Sequence, residues 1–114
     1  MRLSSKFLAL GRLRAGKLNG LEEAYRCEVL EPRVAAGEIL WYKFEGVTLR
    51  LADNRCHYTP DFAVMLSDNV LEMHEVKGFW TDDARVKIKV AAEQFPFRFI
   101  AIRRIRRQWV EEVF

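Results

Sequence analysis

The stretch that most constrains the fold is PDFAVMLSDNVLEMHEVKG, from Pro60 to Gly78. Two runs rich in branched and aromatic side chains, residues 61–66 and 70–77, flank Ser67, Asp68 and Asn69, a triplet suited to a tight turn. The pattern predicts two antiparallel strands. The second run sets Glu75 and Lys77 among Val70, Leu71, Met73, Val76 and Phe79. That apolar setting suits a central strand, where charge needs a reason to be present. Side chains alternate across a strand, so Leu71, Met73, Glu75 and Lys77 share one face and Glu72, His74 and Val76 the other. Glu75 and Lys77 then stand about 6.6 Å apart on one face. Counting back across the turn brings Asp61 to the Lys77 end of the partner strand.

The remaining segments supply what such a hairpin needs around it. NGLEEAYRCEVLEPRVAAGE reads as a helix, with Asn19 as N-cap, Glu22 and Glu23 in the first turn, and Leu21, Ala24, Tyr25 and Val29 at helical spacing. Pro32 is expected to end or kink it. After Gly37, EILWYKFEGVTLRL suggests a hairpin of strands near 39–44 and 47–51, broken at Glu45-Gly46, and ADNRC is a loop. Thr81 or Asp82 caps a second helix. Ala84, Ile88, Ala91, Ala92 and Phe95 follow its period, with Lys87, Val90 and Gln94 as a stripe beside them, and Pro96 stops it. FRFIAI is expected as a strand parallel to the one carrying Glu75, reached through the helix as a crossover. The tail RQWVEEVF reads as strand or helix. The order predicts an α/β fold, a mixed sheet flanked by helices.

At 114 residues the chain is long enough for one core, and half of it is apolar, which excludes a disordered chain. No apolar run reaches the roughly 20 residues of a membrane span, and the N-terminus makes a poor secretory signal, so an intracellular protein is expected. Cys27 and Cys56 have no metal-binding or disulfide spacing and read as buried or half-buried thiols. The net charge of +3 is unevenly spread. Residues 1–18, read as a basic N-terminal arm before one domain at 19–114, hold Arg2, Lys6, Arg12, Arg14 and Lys17 and no acid. Residues 98–107 hold Arg98, Arg103, Arg104, Arg106 and Arg107 and no acid, so the middle is acidic. Basic ends fit a grip on a polyanion, and a solvated surface explains them equally well.

Two carboxylates at one strand end raise each other's pKa unless a cation sits between them. Magnesium takes oxygen ligands and binds through one or two carboxylates plus phosphate oxygens, and a lysine beside it can orient water or stabilise the transition state. Asp61, Glu75 and Lys77 therefore supply what phosphodiester hydrolysis requires.

TPDF followed by HEVKGF resembles the PD-(D/E)xK nuclease superfamily, with Pro60-Asp61 as the PD element and Glu75-Val76-Lys77 as the ExK element. NGLEEAY, YTPDF, EVKG and DDARVKIKVAAEQFP are similar, more narrowly, to small phage and prophage nuclease-like proteins, over about residues 19–100. The resemblance implies a restriction-endonuclease-like core and a magnesium-dependent endodeoxyribonuclease, with manganese as a substitute ion. It places Asp61 and Glu75 as metal ligands with the Val76 carbonyl, Lys77 as the catalytic lysine, and Glu22, or failing it Glu23, as an upstream acid. Lys87 would reach phosphate; outside the span of the resemblance, Arg12, Arg14, Lys17, Arg103, Arg104, Arg106 and Arg107 are expected to bind DNA on the strength of their charge. It further implies branched or junction DNA as substrate, a homodimer, and the cytoplasm of a bacterial host. The competing expectation is a DNA-binding or phage-assembly protein that keeps the fold without cleaving, and RNA as substrate stays open. His57 and His74 read as structural or surface residues, and Trp41, Trp80 and Trp109 as core or interface, with base stacking the less favoured role for Trp80.

Overall fold

A computed structural model describes residues 18–114. Its element order is α1 (Gly20–Tyr25), a π-helical turn (Arg26–Leu30), α2 (Glu31–Ala35), β1 (Ile39–Phe44), β2 (Leu49–Ala52), β3 (Cys56–Tyr58), β4 (Phe62–Leu66), β5 (Leu71–Val76), α3 (Asp82–Gln94), β6 (Arg98–Ile105) and β7 (Gln108–Val113). The fold is mixed α/β, with a five-stranded sheet in the order β1-β4-β5-β6-β7 and a separate pair, β2-β3.

Asn19 starts the first helix through a reciprocal capping box: its Oδ1 accepts from the Glu22 N–H at 2.8 Å, and Glu22 Oε1 accepts from its own N–H at 2.9 Å. Pro32 neither ends this helix nor stops it short, as its helical continuation to Ala35 shows. The π-helical turn lies directly before it, and the Glu31 N–H bonds the Arg26 carbonyl. The wider i→i+5 turn relieves the clash a proline ring makes with the carbonyl four residues back.

β4 and β5 pair antiparallel as expected, from Phe62↔His74 to Met65↔Leu71, and β5 is the middle strand of five. Helix α3 is capped by the Thr81 hydroxyl, ends at Phe95, and leads into β6, which runs parallel to β5. The undecided tail is β7, antiparallel to β6. The expected hairpin of residues 39–44 and 47–51 does not form. β1 pairs with β4, and β2 pairs with β3 through a turn in which Asn54 and Arg55 take positive φ. Leu49, Leu51 and Tyr58 bury themselves beside Ile88 and Ala91 of α3, a surface that an added strand beyond β1 would not reach.

The core is two layers of side chains, one on each face of the sheet. Tyr25, Leu30, Ile39, Phe62, Val64, Val76, Ile100 and Ile102 fill the face under α1 and α2. Ala63, Met73, Phe99, Ile88 and Ala91 fill the face under α3 together with the β2-β3 pair. Leu18, counted with the arm in the sequence, packs against the first layer. Both described cysteines are free, and Cys27 is exposed rather than buried because it sits on the outer side of the π-helical turn. No described helix is long and apolar enough to cross a membrane.

Candidate active site

Pro60 is fully buried, and Asp61, immediately before β4, is fixed by two backbone partners. Its carbonyl accepts from the Glu45 N–H at 2.7 Å, which carries the β1-β4 pairing one residue further. Its Oδ2 accepts from the Val76 N–H at 2.8 Å, which pins the carboxylate across the end of β5. Ladder alternation then puts Glu75 on the α3 side of β5 and His74 on the α1 side. Glu75 is 6 % exposed. Its Oε1 accepts from the Tyr58 hydroxyl at 2.6 Å and its Oε2 lies 3.2 Å from Lys77 Nζ.

Glu22, Asp61, Glu75, Val76 and Lys77 line one cleft of about 290 Å³, together with Asn19 and residues after β5. Three elements far apart in sequence thus deliver three carboxylates and one ammonium to one strand end. Glu22 is the upstream acid that reaches it and is 8 % exposed, while Glu23 turns to solvent and pairs with Arg26 at 2.6 Å. A second cleft of about 340 Å³ lies on the other side of Glu75 and Lys77, lined by His57, Tyr58, Asp83 and Lys87. Lys87 Nζ donates to the His57 carbonyl there at 3.3 Å.

The electrostatics single out Asp61. Burial, the neighbouring charge of Glu75, and the charge and hydrogen bonding of Glu22 push its carboxyl up to about 9, against the pull of the Val76 N–H. Burial and the adjacent Glu75 also hold the Tyr58 phenol well above its ordinary range, so it stays a donor to Glu75. Three carboxylates, of Glu22, Asp61 and Glu75, line the cleft beside Val76, and carboxylate oxygens are the ligand chemistry that magnesium and manganese take. Among the described residues no group of three or more His, Cys, Asp or Glu side chains is already spaced to enclose an ion. Glu75 would exchange its Tyr58 or Lys77 contact, and Glu22 its capping bond, to draw in around one.

The arginines separate by partner. Arg104 bonds Glu28 at 3.0 Å and lies 4.9 Å over the Trp109 ring, so its guanidinium is occupied. Arg103 is half-buried with an Nε that has no hydrogen-bond partner, and Arg106 and Arg107 are exposed at the β6-β7 turn. Arg12, Arg14 and Lys17 lie outside the described residues. Trp80 is covered by the Arg85 guanidinium at 5.0 Å and by the edge of Phe114, which leaves little of its ring for a base. His57 is exposed on β3, and His74 is fully buried.

Sequence reasoning missed Tyr58 as the partner of Glu75. It also missed a buried chain in which Tyr25 Oη meets His74 Nδ1 at 2.7 Å and His74 Nε2 meets Glu72 Oε1 at 2.9 Å. Arg98 closes that chain, donating to Glu72 Oε2 at 2.8 Å. The sequence signal for it is that Glu72 and His74 share one face of an apolar strand. Comparison with protein families, with curated proteins and with solved structures finds no match for this chain.

Proposed function

We propose that the chain is a magnesium-dependent endonuclease that hydrolyses DNA phosphodiester bonds, with a PD-(D/E)xK-type site on a restriction-endonuclease-like core. The observation that carries this reading is the cleft itself. Glu22, Asp61, Glu75 and Lys77 meet at the end of a buried central strand, and Asp61 there is strongly raised, first by burial and then by the neighbouring carboxylates of Glu75 and Glu22, with one ammonium, Lys77, set against three acids. A structural ion-pair cluster would be expected to balance its charges, and this one leaves acid in excess.

Asp61 and Glu75, with Glu22 and the Val76 carbonyl, are the ligands in this reading. A divalent ion bound to them would lower the pKa of a water and offset charge on the phosphate. Lys77 Nζ, already held by Glu75 Oε2, is placed to give its proton-bearing face to the attacking water or to a phosphate oxygen. Tyr58 keeps Glu75 oriented through its hydroxyl. Lys87, across the second cleft from Lys77, is a phosphate contact. The order of helix, antiparallel strands, helix and parallel strand agrees with the core that the resemblance implies. Cleavage of both strands needs two sites, so a homodimer working on branched or junction DNA in the cytoplasm of a bacterial host completes the proposal.

The test is cleavage of supercoiled, single-stranded and four-way-junction DNA by the full chain, with magnesium, with manganese and with chelator, for wild type beside Asp61→Ala. Metal-dependent cutting that Asp61→Ala loses by about 10³-fold or more supports the reading. Intact substrates with both proteins, and DNA binding that the substitution leaves alone, would instead establish a DNA-binding protein.

A further inference from the structure

The sheet does not stop at the level of Lys77. The Lys77 N–H donates to the Ile102 carbonyl at 2.9 Å, which continues the parallel ladder and puts Arg103 beside Lys77 on the neighbouring strand. β6 and β7 then run on together to Ile105↔Gln108, with Arg106 and Arg107 at the turn. At about 3.3 Å per residue that turn stands about 10 Å beyond Lys77. Alternation places Arg103, Ile105 and Val110 on the face that carries Lys77, and Arg104 with Trp109 on the other.

That face has three properties that belong together. Arg103 is half-buried, and its Nε, closed to solvent and without a partner, leaves the terminal nitrogens of the guanidinium to meet an anion. Ile105 and Val110, 41 % and 44 % exposed, leave aliphatic surface beside it. Arg106 and Arg107 take φ of 52° and 65°, a left-handed pair that a hairpin turn ordinarily fills with Asn-Gly. Two arginines accept that backbone cost and display their charge at the tip.

We infer that the β6-β7 hairpin is an arm that lies along a groove of double-stranded DNA, with Arg103, Arg106 and Arg107 on phosphates and Ile105 and Val110 against deoxyribose. The inference rests on the nuclease reading for its position beside the cleft and extends it to the form of the substrate. Ten ångströms spans about three base-pair steps of a duplex. A single-strand site would present aromatic rings for stacking; the exposed Phe79 ring lines the cleft, and on the described hairpin Trp109 faces the other way, against Tyr25. Its aliphatic side chains offer nothing to the 2′-hydroxyls that distinguish RNA.

The experiment is fluorescence anisotropy of the full chain with a labelled DNA duplex of about 20 base pairs, in chelator, over a salt series. Single-stranded DNA and an RNA duplex of the same length run beside it. Arg106→Asn with Arg107→Gly removes both charges and suits the turn better, so the protein stays folded and melts no lower than wild type. The expected result is a salt slope shallower by about 2 units for that variant, and weaker duplex binding with unchanged slope for Ile105→Thr. An unchanged slope, or tighter binding to RNA duplex or single strand than to DNA duplex, overturns the arm. If the Asn-Gly variant binds and cuts like a cutting wild type, the arm is wrong and the nuclease reading survives. If the slope falls as expected but no metal produces cutting, the arm stands and the nuclease reading is wrong.

Discussion

β5 carries buried charge on both of its faces, and the two sets differ in how they are balanced. On the α1 face, Arg98, Glu72, His74 and Tyr25 form a closed chain in which every side chain finds a partner. Burial works to raise the Glu72 carboxyl there, but bonds and charge from His74 and Arg98 outweigh it and hold it below its ordinary range. On the α3 face, Glu75 shares one lysine with a cleft that also holds Asp61 and Glu22, and Asp61 is driven far upward. One polar group is complete within the chain and the other is not. A complete network rigidifies a core, whereas an incomplete one is kept against its cost in stability when something outside the chain completes it.

The largest effect should come from breaking the complete set. His74→Ala removes the middle of the chain, leaving the Tyr25 hydroxyl and one Glu72 oxygen buried without partners. We expect a loss of about 3–5 kcal/mol in urea unfolding. A loss below about 1 kcal/mol would show that the network is dispensable and remove half of the contrast.

The opposite sign is expected in the cleft. The unfolded Asp61 carboxyl titrates near 3.8 and the folded one near 9, so between these values the folded state holds more protons. Stability then falls as pH rises through that window, and the contribution is fully present only below the lower value. Asp61→Asn can keep the bond to the Val76 N–H while losing the charge. It should stabilise the protein by about 1–2 kcal/mol near pH 8, with a gain that shrinks toward pH 4. Magnesium or manganese should stabilise wild type increasingly with pH, because binding displaces the Asp61 proton, and should leave Asp61→Asn unmoved. Thermal melts over pH, with and without metal, read both effects. A pH-independent gain from Asp61→Asn would mean that the carboxyl is not raised.

Tyr58→Phe probes the border between the two conditions, since among the described residues its hydroxyl is the one neutral side-chain donor to Glu75. We expect a cost of about 1 kcal/mol in stability. The alkaline limb of any cleavage profile should shift, while the metal requirement stays. A profile that superimposes on wild type would assign Tyr58 to packing alone.

Much of this contrast was legible in the sequence, for a definite reason. Strand alternation has a period of two, so a strand at β5 must part Glu75 and Lys77 from His74, and the short turn at Ser67, Asp68 and Asn69 sets where Asp61 falls. What escaped depends on surfaces that no local pattern encodes. β2 leaves β1 because α3 offers Leu49 and Leu51 a place to be buried, and that docking in turn carries Tyr58 to Glu75. Pro32 does not end the helix because its penalty falls on the preceding turn, and a π-helical turn there removes it. The tail is ambiguous in sequence because its strand is an edge strand, whose exposed residues follow no single-face pattern, with Trp109 alone on it partly buried, against the Tyr25 ring.

Lys87 tests the smallest effect, at the rim of the incomplete set. Among the described residues its ammonium bonds the His57 carbonyl alone, and it lies in the same cleft wall as Glu75 and Lys77. Such a contact contributes little to folding, so Lys87→Ala should change stability by less than about 0.5 kcal/mol. If the cleft takes a phosphate backbone, the same substitution should raise KM for DNA, make the salt slope of binding shallower by about 1 unit, and leave kcat in place. A slope equal to that of wild type would return Lys87 to the solvated face of α3 and confine the anion site to the strand ends at Lys77 and Arg103.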